Sequence, residues 1–209
     1  MRETTTAAQD EVVQICQDLI RIDTSNFGDG SGPGEAEAAA YVVQSLREVG
    51  LEPQTFESDP GRVSVVVRIP GADRERGALC IHGHLDVVPA NAADWSVDPF
   101  SGELRDGCVW GRGAVDMKDM DAMILAVSAT SPAPAPCRRA TSSSSSSPTR
   151  RPAGARVRTW VEQHPELFDG VTEAISEVGG YSVTVTDRHG DERRPTCCRR
   201  PRRASAGFA

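Results

Sequence analysis

The stretch Ala78-Leu79-Cys80-Ile81-His82-Gly83-His84-Leu85-Asp86-Val87-Val88-Pro89 decides the fold. Its first half is a short apolar run that ends at Gly83, and its second half places histidine and aspartate directly after that run. This is the pattern of a buried strand that hands polar side chains to a loop at its end. Upstream, Arg62 to Ile69 is β-branched and apolar between Asp59-Pro60-Gly61 and Pro70-Gly71, so it reads as a second strand. Ala7 to Ile22 has helical spacing, with Val12, Val13, Cys16, Leu19 and Ile20 on one face, and Asp23-Thr24-Ser25-Asn26 ends it. Glu35 to Val49 is a second, Ala-rich amphipathic helix stopped by Gly50. Downstream, Val109 to Gly113 reads as short and extended, and Met117 to Val127 as helical. Helices alternating with buried strands predict an α/β layered domain.

A second polar stretch, Gly111-Arg112-Gly113-Ala114-Val115-Asp116-Met117-Lys118, enters the third predicted helix. Neutral imidazole and carboxylate both suit Zn²⁺, and Gly-rich loops at strand ends can hold such ligands. One carboxylate can bridge a metal pair about 3.5–4 Å apart, which can activate a water between them. A histidine after a strand is by itself more often structural than ligating, and Asp116 could also serve as a helix N-cap. Asp119 and Asp121 read as solvated residues on the first helical turn.

Taken together, these motifs resemble those of the di-zinc metallopeptidases and amidohydrolases that include aminoacylase, carboxypeptidase G, acetylornithine deacetylase and succinyl-diaminopimelate desuccinylase. The resemblance is carried by His84 to Pro89, by Trp95 to Phe100, by Gly111 to Lys118, and more loosely by Ser176-Glu177-Val178-Gly179-Gly180. It spans residues 10–127 and 161–192, and the order and spacing of His84 and Asp116, 32 positions apart, make it specific. It implies a three-layer α/β sandwich catalytic domain, here its N-terminal portion only, without the smaller lid and dimerisation domain through which the family is often homodimeric. It further implies that His84 binds one zinc, that Asp116 bridges two, that Glu177 completes the His84 site, and that Asp86 orients the His84 ring as part of the catalytic apparatus. His82 is not a family ligand. The implied reaction is hydrolysis of an amide bond in a small peptide or N-acyl amino acid, with two Zn²⁺ in the intact family, at most one here, and Co²⁺ as a possible substitute.

The chain has 209 residues and a formal net charge of -7, distributed unevenly. Residues 1–121 hold 22 acids and 10 bases, whereas residues 122–161 hold six Arg and no acid. Residues 162–192 are acidic again, and 193–209 hold six Arg and no acid. The domain plan that follows is a catalytic segment over 1–127, an aberrant low-complexity segment over 128–160, a further catalytic segment over 161–192 with a strand near Tyr181 to Val185, and an aberrant Arg-rich tail over 193–209. Pro132, Pro134, Pro136 and the run Ser142 to Ser147 give the second segment the composition of a disordered linker.

The family's Asp-Glu-Glu element, which supplies the general base and a ligand of the other zinc, falls on Thr149-Arg150-Arg151-Pro152. Arginine repels a metal cation and cannot act as a base near neutral pH. The codons GAC GAG GAG GCC G, read one base late, give Thr-Arg-Arg-Pro. A leucine-rich strand read the same way gives Thr141 to Pro148, and a family-like Tyr-Leu-Leu-Gln-Thr-Ala-Glu-Lys-Gly-Ile stretch gives Thr196 to Ser205. The two basic stretches therefore read as the same gene out of frame. Each buried Leu so lost is worth about 1.5–3 kcal/mol against a domain stability of about 5–15 kcal/mol, which predicts an unstable or partly molten chain.

The six cysteines match neither a zinc ribbon nor a disulfide framework, and Met1 to Asp10 has no apolar signal region, so the cytoplasm is the expected location. No apolar run approaches the roughly 20 residues of a membrane span. The basic stretches lack interleaved aromatics, so neither nucleic acid nor membrane is an expected partner; the expected partner is the small substrate.

Overall fold

The computed structural model describes residues 7–71, 73, 75–129, 138–143, 162–176, 181–182, 185–186, 192–193 and 196–197. The chain divides into two compact units, Met1–Ile175 and Ser176–Ala209. In the first, the helices are α1 (Ala7–Arg21), α2 (Ala36–Glu48) and α3 (Lys118–Ala129). The strands are β1 (Gln54–Asp59), β2 (Arg62–Ile69), β3 (Ala78–Gly83), β4 (Glu103–Arg105), β5 (Cys108–Trp110), β6 (Arg138–Ser143) and β7 (Val171–Ile175). The second unit contains β8 (Tyr181–Ser182), β9 (Val185–Thr186), β10 (Glu192–Arg193) and β11 (Thr196–Cys197), paired antiparallel as β8 with β11 and β9 with β10. The expected strand near Tyr181 to Val185 is thus two short strands.

Five strands form one mixed sheet in the order β1-β2-β6-β3-β7. β1 and β2 are an antiparallel pair, β6 runs antiparallel to β2 and parallel to β3, and β7 runs parallel to β3. β4 and β5 form a separate hairpin. Alternation along β2 sends Val65, Val67 and Ile69 to the helices, where they meet Cys16, Leu19, Ile20, Ala38, Ala39, Val42, Leu46, Leu85, Ala122 and Leu125 in one core. Burying such side chains is the main favourable term in folding. On α1 the buried face runs through Cys16, Leu19 and Ile20, with Val12 and Ile15 packed beside it; Val13, expected on that face, is exposed.

The linker reading of residues 128–160 does not hold over Arg138–Ser143. Those residues are the central strand β6, with Thr141 in register between Val67 and Ile81. A strand's ladder is made by backbone N–H and C=O groups, so two flanking strands can hold a polar sequence in place.

One ion pair is sealed within this layer. Glu35, just before α2, meets Arg62 at the start of β2, and both are buried. The Glu35 N–H also donates to the Gly61 carbonyl at 2.8 Å, so the helix start is pinned to the β1–β2 turn. Breaking a buried pair by removing one partner leaves an uncompensated charge, at a cost of about 3–5 kcal/mol. Arg62→Ala should therefore lower stability by about that amount in a urea titration; a midpoint equal to that of the unaltered chain would refute the role given to the pair.

Candidate metal centre

β3 ends at Gly83, and its position there is set by contact: a Cβ on this residue would collide with the Asp121 carboxylate of α3. His84 follows. Its backbone N–H points at the Met117 sulfur at 3.3 Å, which ties the end of β3 to the start of α3. Leu85 and Val87 turn inward and are buried, so the side chains between and before them face the site. Gly113, at φ 89°, lies where a Cβ would fall 2.8 Å from Val87 Cγ1 and 3.0 Å from Lys118 Cδ. Glycine alone lets the two loops approach this closely. Arg112 lies over the Trp95 ring at 5.2 Å, and its N–H donates to the Pro99 carbonyl at 2.7 Å, so the Trp95 to Phe100 segment braces the second loop.

The loops bring together two residues expected to bind metal. His84 Nε2 is 3.0 Å from Asp116 Oδ1. The opposite ring nitrogen, Nδ1, lies 2.9 Å from the Asp86 carbonyl and 3.3 Å from Asp86 Oδ1. Asp86 is buried and Asp116 is 68% exposed, so one carboxylate fixes the ring while the other remains open to solvent. Burial opposes the imidazolium, but the Asp86 hydrogen bond and charge, helped by Asp116, outweigh it and hold His84 up at about 9. The carboxylate of Asp116 reaches His84 from two positions before the first helical residue of α3.

An imidazole nitrogen facing a carboxylate oxygen, with the far nitrogen held by a second carboxylate, is a donor set that fits a divalent cation. Among the described residues these are two donors, and no group of three His, Cys, Asp or Glu converges. Glu177, the expected third ligand, lies outside the described residues, as do Thr149 to Pro152.

Several buried groups around the pair escape a reading of the sequence. Lys118 is fully buried, and its Nζ donates to the carbonyls of Leu19 at 2.8 Å and Ile22 at 2.7 Å, at the C-terminal end of α1. Asp121 is buried, contrary to the expectation that it is solvated; burial pushes its carboxyl up to about 8 against the pull of His84 and Lys118. Burial likewise raises Asp119, whose Oδ1 is buried with no hydrogen-bond partner among the described residues. The segment after α1 is the other surprise. Thr24 Oγ1 donates to the Leu85 carbonyl at 2.6 Å, and Asn26 Nδ2 donates to Asp86 Oδ2 at 2.9 Å. His82 is half-buried, and burial followed by the nearby His84 lowers it.

A mixed sheet covered by helices, with a histidine and an aspartate facing each other on loops beyond its strands, is an α/β layered domain. Residues 80–135 match the family described as Peptidase family M20/M25/M40. Aminoacylase-1 of Sus scrofa is 39% identical over 87 residues, covering 41% of this chain and 21% of that protein. Succinyl-diaminopimelate desuccinylase of Gluconacetobacter diazotrophicus is 30% identical over 168 residues, covering 78% of this chain and 42% of that protein. The structure of human carnosine dipeptidase 1 superposes with a TM-score of 0.69 at 20% identity, covering 84% of this chain and 40% of that one. The chain is thus similar to M20 hydrolases in sequence, shares the fold of the dipeptidase structure over the matched part, and spans less than half the length of these relatives. No helix among the described residues is long and apolar enough to cross a membrane.

Proposed function

We propose that this domain serves metal-dependent hydrolysis of an amide bond in small peptides or N-acyl amino acids, and that the chain as written is a non-catalytic fragment of such an enzyme that still binds one cation. The observation that carries the reading is the His84–Asp116 approach with the His84 ring fixed by Asp86. Asp86 holds a proton at Nδ1, so Nε2, beside Asp116, is the nitrogen that would take a cation once its own proton is displaced. Glu177 is the proposed third donor. Zn²⁺, when bound, would polarise a substrate carbonyl and lower the pKa of a water. The chain's own part is then to hold the cation; the proton transfer of hydrolysis needs a positioned base, and Thr149-Arg150-Arg151-Pro152 supplies none. A cytoplasmic setting belongs to the same reading, supported by the free, buried thiols of Cys16 and Cys80.

Two measurements test this. Calorimetric zinc titration alongside an assay on dipeptides and acyl-amino acids should show binding without turnover; turnover would refute the fragment reading, and no binding would refute the metal site. The nucleotide sequence across codons 125–165 and beyond codon 192 should show Leu- and Glu-type codons one base out of register, and an unrelated single frame there would refute the frame-shift origin.

A further inference from the structure

We infer that Asn26 is a positioning residue of the metal centre: its side-chain amide sets the orientation of the Asp86 carboxylate and, through it, of the His84 ring. The inference rests on the reading of His84 as a metal ligand. The amide's own orientation is determined. The Gly28 N–H donates to Asn26 Oδ1 at 3.0 Å, which leaves Nδ2 to donate to Asp86 Oδ2 at 2.9 Å. Exchanging the amide's N and O would set an oxygen against a carboxylate and an NH₂ against an N–H, so both contacts would become repulsive.

The two Asp86 oxygens are thereby divided. Oδ2 accepts from Asn26, and Oδ1 is turned toward His84 Nδ1 at 3.3 Å, beside the Asp86 carbonyl that meets the same nitrogen at 2.9 Å. Asn26 and Asp86 are both buried, so little water competes to reorient either group. The backbone around them is held separately. The Asn26 N–H donates to the Val87 carbonyl at 2.8 Å, the Val87 N–H to the Thr24 carbonyl at 3.1 Å, and Thr24 Oγ1 to the Leu85 carbonyl. This parallel clasp fixes residues 24–26 against 85–87 without the Asn26 amide. The amide therefore acts on the carboxylate rather than on the path of the chain. A polar relay results, from the Gly28 N–H through the Asn26 amide and the Asp86 carboxylate to the charged His84 ring, whose far nitrogen faces Asp116. Partners beyond the direct ligands typically contribute 10–100-fold to metal affinity by fixing ring orientation and tautomer.

The test uses the full chain and two variants. Asn26→Leu keeps the volume and the backbone clasp but deletes the amide. Asn26→Asp keeps the size and the acceptor for Gly28 but turns the Asp86 contact repulsive. The first readout is the imidazole ¹⁵N–¹H spectrum of the metal-free protein. A slowly exchanging His84 Nδ1–H signal is expected in the unaltered chain and is expected to broaden or vanish in both variants while the backbone amide spectrum persists. The second is zinc affinity, expected to fall about tenfold in each variant. An unchanged His84 signal with zinc affinity within twofold would overturn the inference. So would global loss of the amide spectrum in both variants, since Asn26 would then be a residue of the fold. The imidazole spectrum is read without metal, so failure of the unaltered chain to bind zinc would sink the proposed function and leave the Asn26 result to be decided on its own.

Discussion

The apparent zinc affinity of the chain should rise about tenfold per pH unit between pH 6 and pH 8, and His84→Ala should remove both the binding and the slope. The cause is the proton on the ligand. Asp86 and Asp116 flank both ring nitrogens and hold metal-free His84 at about 9, so at pH 7 the ring is an imidazolium with no lone pair for a cation. A cation must displace the Nε2 proton, and two pH units below the His84 value that displacement weakens binding about 100-fold. Asp86 retains the Nδ1 proton, so about one proton should leave per cation bound. Calorimetry in two buffers of different ionisation enthalpy reads that number directly. An affinity flat from pH 6 to pH 8 would contradict the geometry. The same shift acts on stability with a known sign. A histidine whose folded value lies above its unfolded value of 6.5 stabilises the chain below that pH, and this contribution is lost as pH rises through about 9.

The features legible in the sequence are those with a local signal. Apolar periodicity marks α1, α2, α3, β2 and β3, because each buries one face or a continuous run against the core. The His84 and Asp116 motifs are legible for a different reason: each joins glycines to ligand-type residues at an element's end, and the fold brings them together across 32 positions. Edge strand β1 was silent because Gln54–Asp59 is mostly exposed and pairs through its backbone. β6 was misleading for the same reason, since its polar composition says nothing about a ladder made by β2 and β3. Asn26 and Asp86 lie 60 positions apart, and nothing local connects a turn after one helix to a carboxylate after a strand. Asp121 did carry a signal. It stands three positions after Lys118 and four before Leu125, on the buried face of α3. Reading an acid in a first helical turn as solvated overrode the period that places it inside.

Lys118→Met should cost about 3 kcal/mol of stability, roughly 6–12 °C in Tm for a chain of this size, and should weaken zinc binding although Lys118 touches no ligand. Lys118 is a buried cation whose Nζ donates to two carbonyls where α1 ends, and among the described residues no carboxylate is hydrogen-bonded to it. The last carbonyls of a helix have no partner within the helix and carry its negative dipole end, so a buried ammonium both pairs them and complements their charge. Burial lowers Lys118 to about 8, against the pull of Asp121 and Asp23, which keeps it charged at neutral pH. Methionine fills a similar volume but removes a charge-assisted hydrogen bond from each carbonyl, at about 1.5–3 kcal/mol each, and leaves the Leu19 carbonyl only the Ile22 N–H at 3.3 Å; relief of the buried charge partly offsets this. The effect on zinc follows from position. Residues 24–26 clasp the loop of Asp86, and Lys118 fastens the loop of Asp116 to the same end of α1. Releasing Lys118 frees one side of the pair from the other. Thermal unfolding and zinc titration of Lys118→Met should therefore shift together. A lower Tm with unchanged zinc affinity would confine Lys118 to the core, and an unchanged Tm would remove the clamp altogether.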